Sequence, residues 1–445
     1  MSNSKASAQS SELERSLGPL MLWGLGVGYV ISGMYFGWNL GLPAGGTLGL
    51  AIATFFIIIM YVTFTFSYTE LACAIPKAGG AFDYASRGLG PGWGFLAGMA
   101  QNIEFVFAPP AIAFAIGAYL TNWFPALSTT SIAIMAYLVF TGINIIGVKT
   151  AAIFELIITI IAVFELLLFA GITLPHFQMI NLTHNAFPHG VQGIFAAIPF
   201  AIWFFLAIEG VANVAEETIN PQRNVLIGFG SAIATLVLLC LLTFVASIGV
   251  SGWEGIVYSS GSVVPSDSPL PLALGHIVGE NSALMHLLIG IGIFGLVASF
   301  HGIILAAGRS TFEFGRVGCA PAALGRTHAK TKTPMNALLV NMAVGILALL
   351  TGKTGEIITL ACFGAIVLYI LSMVALFKLR KNEPQLERPF RVPFYPFSPL
   401  IALIIACVSL VSMTIYNHEI SLIFFGIMFV SYLWFHFFVA KRLKV

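Results

Sequence analysis

Four carboxylates and one imidazole sit where their neighbours in sequence are almost all apolar. Glu104, Glu155, Glu165 and Glu209 lie within or near long apolar runs, and His301 lies inside another. A charge at mid-bilayer costs roughly 2.5–3.5 kcal/mol on insertion scales, so such groups face a protein interior or a cavity, where they hold cations or relay protons. Glu209 closes the stretch Trp203-Phe204-Phe205-Leu206-Ala207-Ile208 and precedes Gly210. It is the first candidate to receive a substrate ammonium or a coupled proton; the plainer alternative is a partner for a freed backbone N–H. Glu104, about two turns into its run, is taken as a second substrate-binding acid, against a buried hydrogen bond or an interfacial position. Glu165 is taken as a proton-coupling site. Glu155, ten residues earlier and near a basic loop, reads as solvated or structural. An imidazole titrates close to neutral pH, which suits proton coupling, although a lone histidine among apolar residues is more often a satisfied structural group.

No other chemistry competes. The sequence has no HExxH, GxSxG or P-loop pattern, which argues against an enzyme. Cys73, Cys240, Cys319, Cys362 and Cys407 show no paired spacing, so neither a disulfide framework nor a metal site is expected, and no cofactor is implied beyond a coupling H+ or Na+.

Composition says what must hold these groups. Of 445 residues, 58% are hydrophobic and 9% are charged, whereas a soluble domain carries roughly 25% charged residues. Net charge is +2, which gives no reason to expect nucleic acid. Apolar runs long enough to span a bilayer recur near 19–43, 47–74, 93–121, 129–147, 152–174, 191–217, 225–250, 281–309, 335–351, 355–378, 396–416 and 420–439. The run at 335–351 is short for a span. The fold expected is all-α and membrane-embedded, with about twelve helices.

Lys and Arg set the orientation. With the N-terminus inside, the inner segments carry Lys5, Arg15, Lys77, Arg87, Lys149, Arg223, Arg309, Arg316, Arg326, Lys330, Lys332, Lys378, Arg380, Lys381, Arg388, Arg391, Lys441, Arg442 and Lys444. Lys353 alone falls outside. A wrong helix count would scramble this partition. A multi-pass protein of the plasma (inner) membrane with both termini cytoplasmic is therefore expected. Residues 1–18 form a polar tail, 19–378 a ten-helix core with halves 19–174 and 191–378, and 379–395 a charged, Pro-rich linker. Helices 11 and 12 occupy 396–439, and 440–445 form a basic tail. No short apolar segment with a cleavage site precedes helix 1, so no signal peptide is expected. Residues 75–92 suit a short interfacial helix.

Two runs depart from a regular helix. Helix 1 carries Gly24, Gly26 and Gly28, then Ile31-Ser32-Gly33-Met34-Tyr35-Phe36-Gly37; helix 6 carries Pro199 and the Trp203–Gly210 stretch. They are the first helices of two five-helix halves, and an odd repeat reverses its direction in the membrane. Interrupted helices that meet at the midplane are the layout of inverted-repeat transporters. Unwound backbone survives at that depth only inside protein or along a cavity. The bland alternative is that the glycines only permit close packing. The expected substrate site is Ser32, Gly33, Met34, Tyr35, Glu104, Trp203, Phe204, Phe205, Leu206 and Glu209. Tyr29, Phe36, Trp38 and Phe300 add aromatic surface for cation–π contact with an alkylammonium.

At this point the chain resembles the amino acid–polyamine–organocation superfamily over helices 1–10. Three blocks carry the resemblance: Glu70-Leu71 with Ile75-Pro76, Gly79-Gly80 and Tyr84; Glu216-Glu217-Thr218-Ile219-Asn220-Pro221-Gln222-Arg223-Asn224; and Arg309, the Gly315–Pro321 turn and Thr331-Lys332-Thr333-Pro334. The resemblance implies a leucine-transporter-like fold of 5+5 inverted repeats, here with two further helices. It also implies an ion-site position for Ser299 and His301. Ser299–Leu305, Phe105–Ala111 and Gly210–Glu217 look most like the ethanolamine permeases of that superfamily. Two departures stand out. Ile31 replaces the first Gly of the usual Gly-Ser-Gly break, which puts recognition of an α-carboxylate in doubt. Leu226 replaces a common Pro. The function expected is a permease importing a small cationic amine, ethanolamine first, by alternating access; an amino acid or polyamine permease is the alternative. A channel is a further class, disfavoured because paired broken helices suggest a closed midplane site.

Overall fold

The computed structural model describes residues 15–77, 79–121, 123–146, 148–279 and 282–440. The polar segment 1–14 and the basic tail 441–445, with Lys5, Lys441, Arg442 and Lys444, lie outside the described residues.

The chain is all-helical, and among the described residues its only strand-like feature is an isolated bridge between Leu17 and Thr218. Among the described residues, ten helices are long and apolar enough to cross a membrane. Two shorter apolar helices, Pro19–Tyr35 and Met335–Leu349, fill the first and ninth positions. Helix 2 is Leu42–Ala74, helix 3 Pro91–Leu120, helix 4 Thr129–Ile146 and helix 5 Val148–Thr173. Helix 6 is split into Gly190–Ala196, Ile198–Trp203 and a 3-10 stretch, Ile208–Glu217. Helix 7 is Pro221–Val257, helix 8 Ala283–Arg316, helix 10 Thr354–Asn382, helix 11 Phe397–Tyr416 and helix 12 His418–Trp434. The interfacial segment forms a helix at Ala81–Leu89.

Local chemistry sets the ends. Proline opens helices 1, 3 and 7, where its missing N–H is one that no helical carbonyl would use. Asn220 takes the left-handed conformation just before Pro221 (φ +47°), which turns the chain from helix 6 into helix 7. Ser282 caps helix 8 by accepting the Met285 N–H. Helix 1 ends earlier than its apolar run suggests: Trp38–Gly41 is a 3-10 turn that leads into helix 2.

The centre is made by helices 3, 6, 8 and 10. In its most apolar stretch helix 6 is 94% buried, whereas helix 12 is 22% buried and presents its apolar surface outward. Helix 3 packs on helices 8 and 10, and helix 1 packs on helices 5, 7 and 8. The linker is fastened at the basic end of the bundle. Glu70 on helix 2 accepts from Arg380 Nε (2.8 Å) and from the Val392 N–H (2.8 Å), and Arg388 Nε lies 3.3 Å from it. The Arg380 guanidinium stacks over the Tyr395 ring.

Candidate functional site

Helix 1 and helix 8 share one rung. In a regular helix the Ser32 N–H would donate to the Gly28 carbonyl four residues back. Here it donates to the Ser299 hydroxyl (2.8 Å), which donates in turn to the Gly28 carbonyl (2.7 Å). Because that hydroxyl satisfies both backbone groups, Ser32–Tyr35 still forms one α-helical turn. The expectation of an unwound stretch at Ser32-Gly33 is thereby corrected. The chain leaves the helical path at Phe36 and at Gly37, whose φ of +88° suits a residue without a Cβ. Gly24, Gly26 and Gly28 are packing glycines, set against Leu156, Ala232 with Val211, and Glu155 with Thr159.

Helix 6 opens at Phe204–Ala207, with Ala207 left-handed at φ +74°. The two interruptions touch. A Cβ at Gly33 would lie 2.6 Å from the Trp203 carbonyl oxygen. Trp203 Nε1 donates to the Phe36 carbonyl (3.1 Å), and Trp38 stacks on Phe204 with ring centroids 5.7 Å apart. Asn39 Nδ2 reaches the Ser266 carbonyl (2.7 Å). These contacts close the side away from the basic loops. On the basic side, Arg309 donates to Glu217 (3.0 Å), and the Ser16 and Leu17 N–H groups donate to the Glu217 carbonyl. Ser32, Met34, Tyr35, Trp203, Phe204, Phe205, Leu206 and Glu209 are all buried between these closures.

Two acids converge on the helix-6 opening. Glu104 Oε1 accepts the Ala207 N–H (3.0 Å), the donor freed by the left-handed turn. Glu209 Oε2 accepts from the Tyr369 hydroxyl (2.8 Å). The Tyr369 oxygen lies 3.2 Å from the Tyr61 hydroxyl, which reaches the Ile202 carbonyl at 3.3 Å. The two carboxyls act on each other electrostatically at this opening. Glu104 Oε2 and Glu209 Oε1 have no partner, and neither acid has a basic side chain in contact among the described residues. Facing carboxyls in a dry site need a cation or a shared proton between them.

The remaining expected residues separate. His301 Nδ1 lies 2.9 Å from Glu155 Oε2, and both side chains are buried. The reading of Glu155 as solvated or structural is therefore corrected on its first alternative: Glu155 faces helix 8, not the basic loop. Glu165, about 15 Å further along helix 5, stands against Tyr35 rather than near His301. Tyr35 donates to the Ala162 carbonyl (3.0 Å) and its own carbonyl accepts from Tyr119 (3.0 Å). Phe300 packs on Tyr137 and Phe140, on the helix-4 side. Asn102 donates to the Gly98 carbonyl and accepts from Thr311, which occupies its side chain away from Glu104. Among the described residues no group of three His, Cys, Asp or Glu is placed to hold a metal ion.

Tyr61 and Tyr369 are the residues of the helix-6 opening that sequence reasoning missed. The two tyrosines belong to helices 2 and 10, far in sequence from either break, and only the run of apolar residues around each hydroxyl marks them as groups in need of a partner.

A family model described as amino acid permease matches residues 17–440. An uncharacterized transporter of Rhizobium meliloti (strain 1021) is 26% identical over 96% of the chain and 92% of its own length. The methylthioribose transporter of Bacillus subtilis (strain 168) is 28% identical over 89% of the chain and 88% of its own length. A branched-chain amino acid permease of the same organism is 25% identical over 90% and 88%.

Proposed function

The chain belongs to the amino acid permease family, and on that premise we propose that it is a secondary transporter that imports a small primary amine, ethanolamine, by alternating access. That it is a multi-pass membrane transporter and not an enzyme follows from the family and from the relatives. The choice of an amine rests on one observation, the meeting of Glu104 and Glu209 at the helix-6 opening with an unpartnered oxygen on each. An alkylammonium bears up to three N–H donors and one positive charge, which is what two facing carboxyls lack. Charge-assisted hydrogen bonds of this kind are roughly twice as strong as neutral ones. The substrate hydroxyl is assigned to the polar backbone around Ser32-Gly33.

Absence of a carboxylate on the substrate is supported by Ile31, which stands where the usual break has its first Gly. Four N–H groups of this stretch are already engaged: Ser32 on Ser299, Met34 on the Ile31 carbonyl, Phe36 on the Ser32 carbonyl and Gly37 on Asn39. Alternating access takes the form of helices 1, 2, 6 and 7 rocking against the others, opening the Trp203–Phe36 closure on one side and the Arg309–Glu217 closure on the other. The asymmetry of Lys and Arg supports a plasma (inner) membrane protein with both termini cytoplasmic.

Purified protein in liposomes tests the reading. Saturable counterflow of radiolabelled ethanolamine, resistant to excess alanine, is expected. Exchange of a neutral amino acid without ethanolamine counterflow would refute it and favour the second reading, an amino acid permease, which the family description and the branched-chain relative support. Competition by putrescine would point to a polyamine.

A further inference from the structure

We propose that the linker between helices 10 and 11 is a docking surface for anionic phospholipid, in which Lys381 and Arg391 receive the headgroup phosphate and Phe394 sits among the neighbouring headgroups. The inference rests on the membrane-embedded fold, with the basic end as the inner one, and not on the identity of the solute.

Its first support is charge. Most ionic groups near the linker are spent on each other: Arg380 and Arg388 on Glu70, and Arg87 on Glu383. Lys378, Lys381 and Arg391 are exposed and have no ion pair among the described residues, and Glu387 is the linker acid left to offset them. Lys381 stands one turn beyond Phe377 on the same face of helix 10, and Phe377 packs on Tyr395 with ring centroids 5.7 Å apart. Arg391 directly precedes Val392, whose N–H is fixed on Glu70, and it acts electrostatically on Arg388. Helix 10 and the linker thus bring uncompensated cations to one rim of the bundle, on backbone that is held in place. A rim of this kind attracts the anionic lipid of the facing leaflet.

The second support is depth. Phe397, Leu400, Ile401 and Ile404 of helix 11 are 64%, 39%, 39% and 52% exposed. Their spacing puts them on one face, the face that helix 11 turns to lipid. Phe397 is the inner end of that stripe, so the residues just before it lie at headgroup level. Phe394 is 83% exposed there and takes φ +56°, a left-handed conformation that bulky residues rarely adopt. The corner is held from behind. The Phe394 carbonyl accepts the Phe397 N–H (2.7 Å), and the Ser398 hydroxyl donates to the Pro393 carbonyl (2.6 Å). Strained backbone thus projects an aromatic ring away from the protein, at the depth where such rings settle among headgroups. A neutral lipid would suit the ring and leave the cations unanswered; an anionic one suits both.

Native mass spectrometry of the full chain, in micelles holding equal phosphatidylglycerol and phosphatidylcholine, reads the preference. The wild type should retain phosphatidylglycerol roughly tenfold more often. Lys381→Gln with Arg391→Gln should abolish most of that preference. Arg326→Gln with Lys330→Gln, which removes two exposed charges elsewhere on the basic end, should keep it. In liposomes, the added emission of Phe394→Trp over wild type should be quenched more by lipid brominated near the headgroup than by lipid brominated near the chain end. No preference in the wild type, a preference unchanged in the linker variant or lost equally in the control, or emission from Phe394→Trp untouched by either lipid would overturn the inference. So would dimers that Phe394→Ser splits, since a second copy of the chain would then be what covers the surface. None of these readouts involves a solute, so they stand or fall apart from the amine reading.

Discussion

The Ser299 hydroxyl occupies the gap between the Gly28 carbonyl and the Ser32 N–H, so that a residue of helix 8 completes the backbone ladder of helix 1. The two helices cannot part at this level without breaking hydrogen bonds that belong to the backbone of one of them.

Ser299→Ala removes the bridge and leaves a buried N–H and a buried carbonyl to find each other or go unpaired. The expected cost is about 1–3 kcal/mol, seen as a lower melting temperature in detergent, with Ser299→Thr close to wild type. A Ser299→Ala protein as stable as the parent would mean the helix simply closes on itself.

Contact between the two interruptions makes Gly33 sensitive to a single methyl group. A Cβ there would stand 2.6 Å from the Trp203 carbonyl, so Gly33→Ala must push the helices apart. Overpacking of this kind costs about 1–3 kcal/mol, and counterflow should fall at least tenfold. Gly142→Ala on helix 4, where nothing lies within 4 Å, is the matched control and should leave counterflow intact.

The two acids at the helix-6 opening make different demands. Glu209→Gln removes a charge that faces the proposed ammonium, and loss of one charged hydrogen bond, about 1.5–3 kcal/mol, corresponds to roughly 10- to 150-fold weaker amine binding. Glu104→Gln should weaken binding as well, and its amide can also be turned so that its N–H₂ confronts the Ala207 N–H, which should lower stability too. Scintillation proximity binding in detergent separates affinity from transport. Unchanged amine affinity in Glu209→Gln would remove that residue from the site.

Asp267, in the loop before Pro269, accepts from the Thr354 hydroxyl (3.0 Å) at the start of helix 10. Burial pushes its carboxyl up to about 6, with the Thr354 hydrogen bond opposing. A raised folded-state value for an acid means the folded loop holds the proton more tightly than the unfolded chain. Its contribution is therefore fully present below the unfolded value near 4 and is lost as pH rises through about 6. The term is on the order of 1–2 kcal/mol, allowing for solvent screening of a partly exposed group. Melting curves from pH 4 to pH 8 should show this slope in the wild type and not in Asp267→Asn.

What could be read from the sequence was what depends on neighbours along the chain. Runs of apolar residues place the helices because a span must be continuous, and Pro199, Glu209 and Gly210 flag the helix-6 opening because no lipid-facing helix would hold them together. Helix 1 was legible only in part. Its three early glycines look like a break but serve packing, Ser299 of helix 8, some 270 residues away, carries the helix through Ser32, and the chain departs only at Phe36 and Gly37. Glu155 read as solvated or structural for the same reason: its partner, His301, lies on another helix, and nothing in the local pattern points there. Tyr61 and Tyr369, which complete the hydrogen bonds around Glu209, carry no local signal beyond a hydroxyl in an apolar run.

The fastening of Glu70 to the linker reaches further than the end of helix 2. Its carboxylate is held by Arg380, by Arg388 and by the Val392 amide, and two of those three ligands come after helix 10 has ended. A chain trimmed to its first ten helices would strip them away and leave a buried anion short of donors. The linker is thus part of the ten-helix scaffold, and a shortened chain that keeps Glu70 satisfied has to extend past Val392.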